Sequence, residues 1–136
     1  SLCFPQYYLH TDMGPALQNI NDIYITQMAA ESFLPMALAT VFLVPPVEEM
    51  LHRGVVFGSL YAKSPALGYL LSSFLFAAVH VIGYAGMGDW LYLTVLFLQY
   101  LPPALCLCWL YADTDSIFAP ILMHMAFNAI GIFSMR

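Results

Sequence analysis

The side chains best suited to chemistry are four ionisable groups within residues 47–53. They are Glu48, Glu49, His52 and Arg53. They interrupt an apolar run, residues 32–62, that contains no other charged or histidine residue. Ionisable side chains are costly to bury in a membrane, so a cluster of this kind indicates a functional site.

Helical spacing divides these four side chains into two pairs. Glu49 and Arg53 are four residues apart, in the acid-before-base order that favours pairing on one helix face. Glu48 and His52 are also four apart and lie about 100° around the helix from the first pair. Glu48 is therefore the carboxylate left available for chemistry.

The composition indicates an all-α membrane protein. The chain has 136 residues, of which 62% are hydrophobic and 8% charged, whereas roughly 25% of the residues of soluble domains are charged. The net charge of −5, with three basic residues, argues against nucleic acid or a polybasic lipid-binding surface. Cys3, Cys106 and Cys108 lack metal-ligand spacing such as CxxC and are expected to be inert apolar residues.

The predicted fold is a polytopic helix bundle with about four core transmembrane helices, preceded by an amphipathic or interfacial helix. Residues 1–31 are predicted to hold an interfacial segment and an amphipathic helix that begins near Gly14-Pro15. Residues 32–136 are predicted to form the core. Its spans are expected at 32–62, 65–82, 90–111 and 117–135, since each needs about 20 apolar residues.

The first of these spans is too long for a simple crossing. Its 31 residues would extend for about 46 Å as one helix, against a hydrocarbon core of about 30 Å. Pro45-Pro46 is predicted to break it and to free the carbonyls of Val41 and Phe42 toward a cavity. Gly54 and Gly58 are predicted to allow close contact with another helix.

Residue counts place polar groups of three spans near one another. Glu48 and His80 lie about 21 Å and 22 Å from the turn at Lys63, so adjacent antiparallel helices bring them to one depth. His124, followed four residues later by Asn128, enters from the same face at about 12 Å and needs one or two extra turns to reach them. The third span, with Pro102-Pro103, is expected to contribute packing and a kink.

This set of residues supports hydrolysis. A desolvated carboxylate beside a histidine can act as a general base on water. A second histidine and an amide on another helix can donate hydrogen bonds to a developing oxyanion. Two histidines and a carboxylate are equally a sufficient ligand set for catalytic zinc. The residues alone leave both mechanisms open.

Simpler interpretations exist for each residue. His80 can bond a backbone carbonyl for packing alone, and His124 with Asn128 can form an interhelical contact worth about 1 kcal/mol. Glu49 and Arg53 are expected to be structural or orienting in either case. The coincidence of one free carboxylate and two histidines on three spans favours a functional site.

Three motifs in order resemble a known family. Residues 48–54 match EExxxRG, residues 76–80 match FxxxH and residues 124–128 match HxxxN. The chain, from about residue 34 to 133, is similar to the CAAX-protease and bacteriocin-processing (Abi) family of intramembrane proteases. It departs from this family at His52, where an aromatic residue is usual, and at the N-terminus, where upstream helices are expected to be missing.

The resemblance implies an α-helical membrane peptidase acting on a hydrophobic or lipidated peptide. Glu48 would be the water-activating base beside His80. His124 and Asn128 would form the oxyanion side, while Glu49 and Arg53 would shape the site. A metal-free mechanism is favoured, with zinc held by Glu48, His80 and His124 as the alternative.

The expected setting is the bacterial plasma membrane, and bacteriocin maturation is one possible role. A second hypothesis is a non-enzymatic immunity or scaffold protein that binds a peptide or membrane partner through the same polar pocket. A third is an ion or proton pathway. It ranks last because the polar residues cluster at one depth.

Overall fold

A computed structural model describes residues 20–86 and 89–134, which form helices joined by short turns, with no β-strand among them. The elements in chain order are α1 (Ile20–Leu38), the π-helical segment π1 (Ala39–Leu43), α2 (Val44–Glu49), the π-helical segment π2 (Met50–Phe57), α3 (Gly58–Tyr61), α4 (Pro65–Ile82), α5 (Trp90–Thr114) and α6 (Phe118–Ser134). The all-α prediction is confirmed.

Three helices among the described residues are long and apolar enough to cross a membrane. They are Ser32–Tyr61, Pro65–Ile82 and Trp90–Thr114, called here the first, second and third spans. The fourth span is α6, which is apolar but shorter. Large apolar side chains such as Leu70 and Leu98 lie exposed on the outside of the bundle, as lipid-facing residues do. The protein is an integral membrane protein.

The first span begins at a kink in α1. Ser32 has φ −155° and ψ 71°, which are not helical values, although the residues on both sides are helical. The kink lies where the sequence predicts the first span to begin. The predicted helix start at Gly14-Pro15 lies outside the described residues, and both the amphipathic face and the division at residue 31 stay predictions.

The double proline does not interrupt the first span. Pro45 and Pro46 lie in the first turn of α2, where a missing backbone N–H is tolerated. The backbone stays helical from π1 into α2. The prediction that Pro45-Pro46 breaks the helix is therefore wrong, because a wider helical turn accommodates the prolines.

This wider turn determines which carbonyl is freed. In π1 the N–H of Val44 bonds to the carbonyl of Ala39, five residues back. In the same register the next bond would run from Pro45 to Thr40, but proline has no N–H. The carbonyl of Thr40 instead accepts a hydrogen bond of 2.9 Å from Nδ2 of Asn128 on the fourth span. The freed carbonyl that α6 contacts is thus neither Val41 nor Phe42.

The closest glycine contact is not the predicted one. A Cβ on Gly68 of α4 would lie 3.0 Å from the Cα of Tyr61, whereas Cβ atoms on Gly54 and Gly58 would meet other residues only at ordinary van der Waals distances. The second span therefore packs tightly against the end of the first at Gly68. The predicted Gly54–Gly58 face is a looser contact with the region where α5 turns into α6.

We expect Gly68→Ala to destabilise the fold, because the added methyl group cannot be placed without moving the backbone at Tyr61. Overpacking of this kind costs about 1–3 kcal/mol. Gly131→Ala is the matched control, since Gly131 is helical and a Cβ there meets nothing within 4 Å. Thermal unfolding in detergent should show a lower Tm for Gly68→Ala and an equal or higher Tm for Gly131→Ala. Equal Tm values for Gly68→Ala and the wild type would contradict the tight contact.

Candidate active site

Glu48 lies at the centre of the polar cluster. It is carried by α2 and lines a cavity of about 430 Å³. Its Oε1 is 3.8 Å from Nε2 of His80, and its Oε2 is 3.7 Å from Nε2 of His124. The three side chains come from the first, second and fourth spans. The prediction that Glu48 and His80 lie at one depth is confirmed.

His124 reaches the same depth because the turn between α5 and α6 is recessed. Ile117, at the start of the fourth span, lies 4.0 Å from the position of a Cβ on Gly54, and Tyr111, near the end of α5, lies beside Gly58. This turn therefore lies beside the middle of π2 and α3, well before Lys63. The α5–α6 connection therefore lies deeper in the bundle than the connection at Lys63. This offset replaces the one or two extra helical turns that residue counting requires for His124.

His80 presents a defined nitrogen to Glu48. Its Nδ1 is 2.8 Å from the carbonyl oxygen of Phe76. A carbonyl can only accept, so Nδ1 is the donor and Nε2 of the neutral ring keeps its lone pair. The imidazole also lies against the rings of Phe76 and Tyr100, with both centroid distances 4.5 Å. His80 thus directs Nε2 toward the cavity.

His124 is oriented by the second glutamate. Its Nδ1 is 2.7 Å from Oε1 of Glu49, and the same oxygen accepts a 3.0 Å hydrogen bond from Nη1 of Arg53. Glu49 and Arg53 are both fully buried. A carboxylate on Nδ1 fixes the ring orientation and leaves Nε2 facing Glu48.

Arg53 is held by two further contacts. Its Nη2 donates a 2.8 Å hydrogen bond to the carbonyl of Ala104 on α5, and its guanidinium lies 4.6 Å from the ring centroid of Phe76 on α4. These contacts hold the charged group, and through it Glu49, in one place. The sequence-based expectation that Glu49 and Arg53 form an orienting pair matches this geometry.

Asn128 lies one turn beyond His124 on α6 and also lines the cavity. One of its amide hydrogens is used by the carbonyl of Thr40, and the amide carries a second hydrogen. Asn128 is therefore both a contact between the first and fourth spans and a potential donor to a bound substrate.

His52 has a different position from the other ionisable residues. Its Nδ1 donates to the backbone carbonyl of Glu48 at 2.8 Å, and its ring meets the edge of the Phe76 ring. Ser72 of the second span donates to the carbonyl of His52 at 2.9 Å. His52 is buried and is not among the residues that line the cavity. Its contacts are those of an aromatic packing residue.

A protein-family model, Type II CAAX prenyl endopeptidase Rce1-like, matches residues 30–130. That range includes all three motifs and every candidate site residue. The chain belongs to the Rce1-like family. The resemblance to CAAX-type proteases is thereby confirmed.

Two curated relatives extend the comparison. An uncharacterized 24.3 kDa protein of Escherichia coli is 30% identical over 127 residues, which cover 88% of this chain and 55% of that protein. The UPF0177 protein YxdF of Lactococcus lactis is 33% identical over 89 residues, or 65% of this chain and 44% of that protein. The chain spans about half the length of these relatives. No solved structure matches.

A zinc ion, the alternative to the metal-free mechanism, would use three side chains of this Rce1-like site. Glu48, His80 and His124 are ligand types that zinc accepts. However, among the described residues, no three His, Cys, Asp or Glu side chains are grouped closely enough to hold a metal ion.

The structure also identifies two site residues that sequence reasoning missed. Tyr100 and Thr40 both line the cavity. Tyr100 is one of nine tyrosines in the chain, and no motif in the adjacent sequence distinguishes it from the others. Thr40 had one indirect signal, because it lies five residues before Pro45 and so loses its partner if the preceding turn is π-helical.

We expect Arg53→Met to destabilise the protein by about 3–5 kcal/mol, because it leaves Glu49 as a buried carboxylate without its main counter-charge. Adding Glu49→Gln to Arg53→Met should restore part of that loss, since no unbalanced charge remains. Lys63→Met, at an exposed turn residue, is the control and should change little. Chemical unfolding in detergent measures all four proteins. A double variant no more stable than Arg53→Met would argue against charge pairing as the cause.

Proposed function

We propose that this Rce1-like chain is the core of an intramembrane endopeptidase that hydrolyses hydrophobic or lipidated peptides in a bacterial plasma membrane. The family match supports a CAAX-type protease. The observation that carries the proposal is the position of Glu48 in the cavity wall, with Nε2 of His80 and of His124 each less than 4 Å from its carboxylate. The family fixes neither the reaction nor the substrate, so both are part of the proposal.

In the proposed reaction Glu48 is the general base. A water molecule beside its carboxylate gives up a proton to Glu48 while the water oxygen bonds to the carbonyl carbon of the peptide. The C–N bond then breaks, and the proton passes from Glu48 to the leaving nitrogen. The products are a carboxylic acid and an amine, and no metal takes part. Nε2 of His80, whose lone pair faces the carboxylate, accepts a hydrogen bond from the same water.

The carbonyl oxygen gains negative charge during this attack, and two residues of the cavity lining, His124 and Asn128, are the proposed donors to it. Asn128 has a second amide hydrogen, and Nε2 of His124 donates when the ring carries two hydrogens. Nδ1 of His124 contacts the Glu49 carboxylate at 2.7 Å, which orients the ring so that Nε2 is the nitrogen directed into the site. Glu49 and Arg53 act in this scheme as positioning residues.

The cavity walls favour an apolar peptide. The volume of about 430 Å³ lies within the usual range for ligand pockets. Apolar side chains make up much of its lining, namely Ile25, Val44, Phe76, Pro103, Leu107 and Phe127. Within the described ranges, no lysine or arginine lines it. A short hydrophobic segment, such as part of a bacteriocin precursor, fits this chemistry better than an acidic peptide.

We expect Glu48→Gln to lower peptide cleavage by at least about 100-fold, because the general base is lost while the shape of the side chain is kept. Asp113→Asn, which changes an exposed acid at the end of α5, is the matched control and should cleave as the wild type does. The assay is cleavage of hydrophobic and lipidated peptides by purified protein in lipid. If wild type and Glu48→Gln show the same activity, or if neither cleaves and both support the same cellular phenotype, the site binds a partner without hydrolysing it.

The metal-free reaction makes a separate prediction. Cleavage should persist after the protein is dialysed against a zinc chelator, and metal analysis should find less than stoichiometric zinc. His80→Ala provides the comparison, because it removes one of the three potential ligands. Stoichiometric zinc in the wild type that is lost in His80→Ala would show that the proposed mechanism is wrong.

A further inference from the structure

Tyr100 lies on the third span, the one for which the sequence predicts no chemistry. Its ring centroid is 4.5 Å from that of the His80 imidazole, and the two planes are inclined by 34°. Tyr100 also lines the cavity that Glu48 and His80 share. The third span therefore contributes an aromatic wall directly beside one of the two histidines.

His80 needs such a neighbour if its orientation is to be fixed. Its bond from Nδ1 to the carbonyl of Phe76 selects the tautomer, but a single hydrogen bond leaves the ring free to tilt about that contact. The Phe76 ring limits this motion from within the same helix. Tyr100 limits it from a different helix, so the imidazole is held by two rings and one hydrogen bond while Nε2 stays 3.8 Å from Oε1 of Glu48.

Tyr100 differs from the core residues of its helix. Leu96, Ala104 and Cys108 are almost completely buried, whereas Tyr100 is half-buried at the cavity. Shortening a fully buried residue leaves a void in the core. Shortening Tyr100 enlarges a cavity that already exists, and we expect a smaller loss of stability.

We propose that Tyr100 is a positioning residue whose ring holds His80 with Nε2 directed at Glu48. The aromatic face carries this role through its contact with the imidazole. The effect on catalysis rests on the proposed peptidase function. The effect on the His80 ring does not.

The test compares Tyr100→Phe, which keeps the ring, with Tyr100→Leu, which removes it. Trp109→Leu is the matched control, because it replaces an exposed aromatic residue on the same helix. The first measurement is the ¹⁵N NMR spectrum of the imidazole of His80, in the full chain in detergent, with the signals assigned by loss in His80→Gln. Wild type, Tyr100→Phe and Trp109→Leu should show one Nδ1–H tautomer. Tyr100→Leu should show shifted or averaged signals.

The second measurement is peptide cleavage. Tyr100→Leu should lower kcat by about 10-fold or more with little change in KM, because a misplaced catalytic group slows the chemical step. Tyr100→Phe should retain at least half of the wild-type kcat. If Tyr100→Phe loses as much as Tyr100→Leu, the hydroxyl is the active group and the proposal is overturned. It is also overturned if Tyr100→Leu leaves the His80 signals unchanged, whatever its kcat.

The two measurements separate the two proposals. If the wild type cleaves no peptide, the peptidase function fails, but the NMR comparison still decides whether Tyr100 positions His80. If the wild type cleaves and the His80 signals of Tyr100→Leu match those of the wild type, the peptidase function stands and the role of Tyr100 is rejected.

Discussion

The buried ion pair between Glu49 and Arg53 is the interaction on which the rest of the structure depends. Both side chains are inaccessible to solvent, and charges in such a place are tolerated only when they are paired and hydrogen-bonded. Residues of the other three spans supply those contacts: Phe76 from the second, Ala104 from the third and His124 from the fourth. The helices therefore have to assemble around this pair in one arrangement.

That arrangement gives the two neighbouring glutamates different environments. Successive residues on a helix point about 100° apart, so Glu48 faces the cavity when Glu49 faces the core. Glu49 is fully buried, and its Oε1 accepts hydrogen bonds from His124 and Arg53, whereas the Glu48 side chain is 25% exposed and lines the cavity. Oε2 of both glutamates lacks a hydrogen-bond partner among the described residues, but only the Glu48 carboxylate lines the cavity, where it can meet a water or a substrate. Glu49, by contrast, orients the His124 ring through its 2.7 Å contact with Nδ1.

Much of this site could be predicted from the sequence, and what could not be predicted has physical reasons. Helix spacing and residue counts identify the pairing of Glu49 with Arg53 and the common depth of Glu48 and His80, because both follow from residue separation along helices, and π2 leaves the Glu49–Arg53 contact in place at 3.0 Å. The depth of His124 depends on how far the α5–α6 turn is recessed, which is a tertiary property. The contact of Tyr100 with His80 likewise arises only when two helices pack. The double proline misled the prediction because a π-helical turn absorbed it without a break.

The two π-helical segments explain how the fourth span is attached to the site. They lie on either side of α2, the short segment that carries both glutamates, and π-helical turns are frequent at functional sites. Because π1 precedes Pro45, the carbonyl of Thr40 is left for Asn128, while four residues earlier on α6 His124 reaches Glu49. The HxxxN spacing thus lets two side chains on one face of α6 contact the first span at two residues, Thr40 and Glu49. Replacing either side chain would disturb docking as well as chemistry, so loss of activity alone would not separate these two roles.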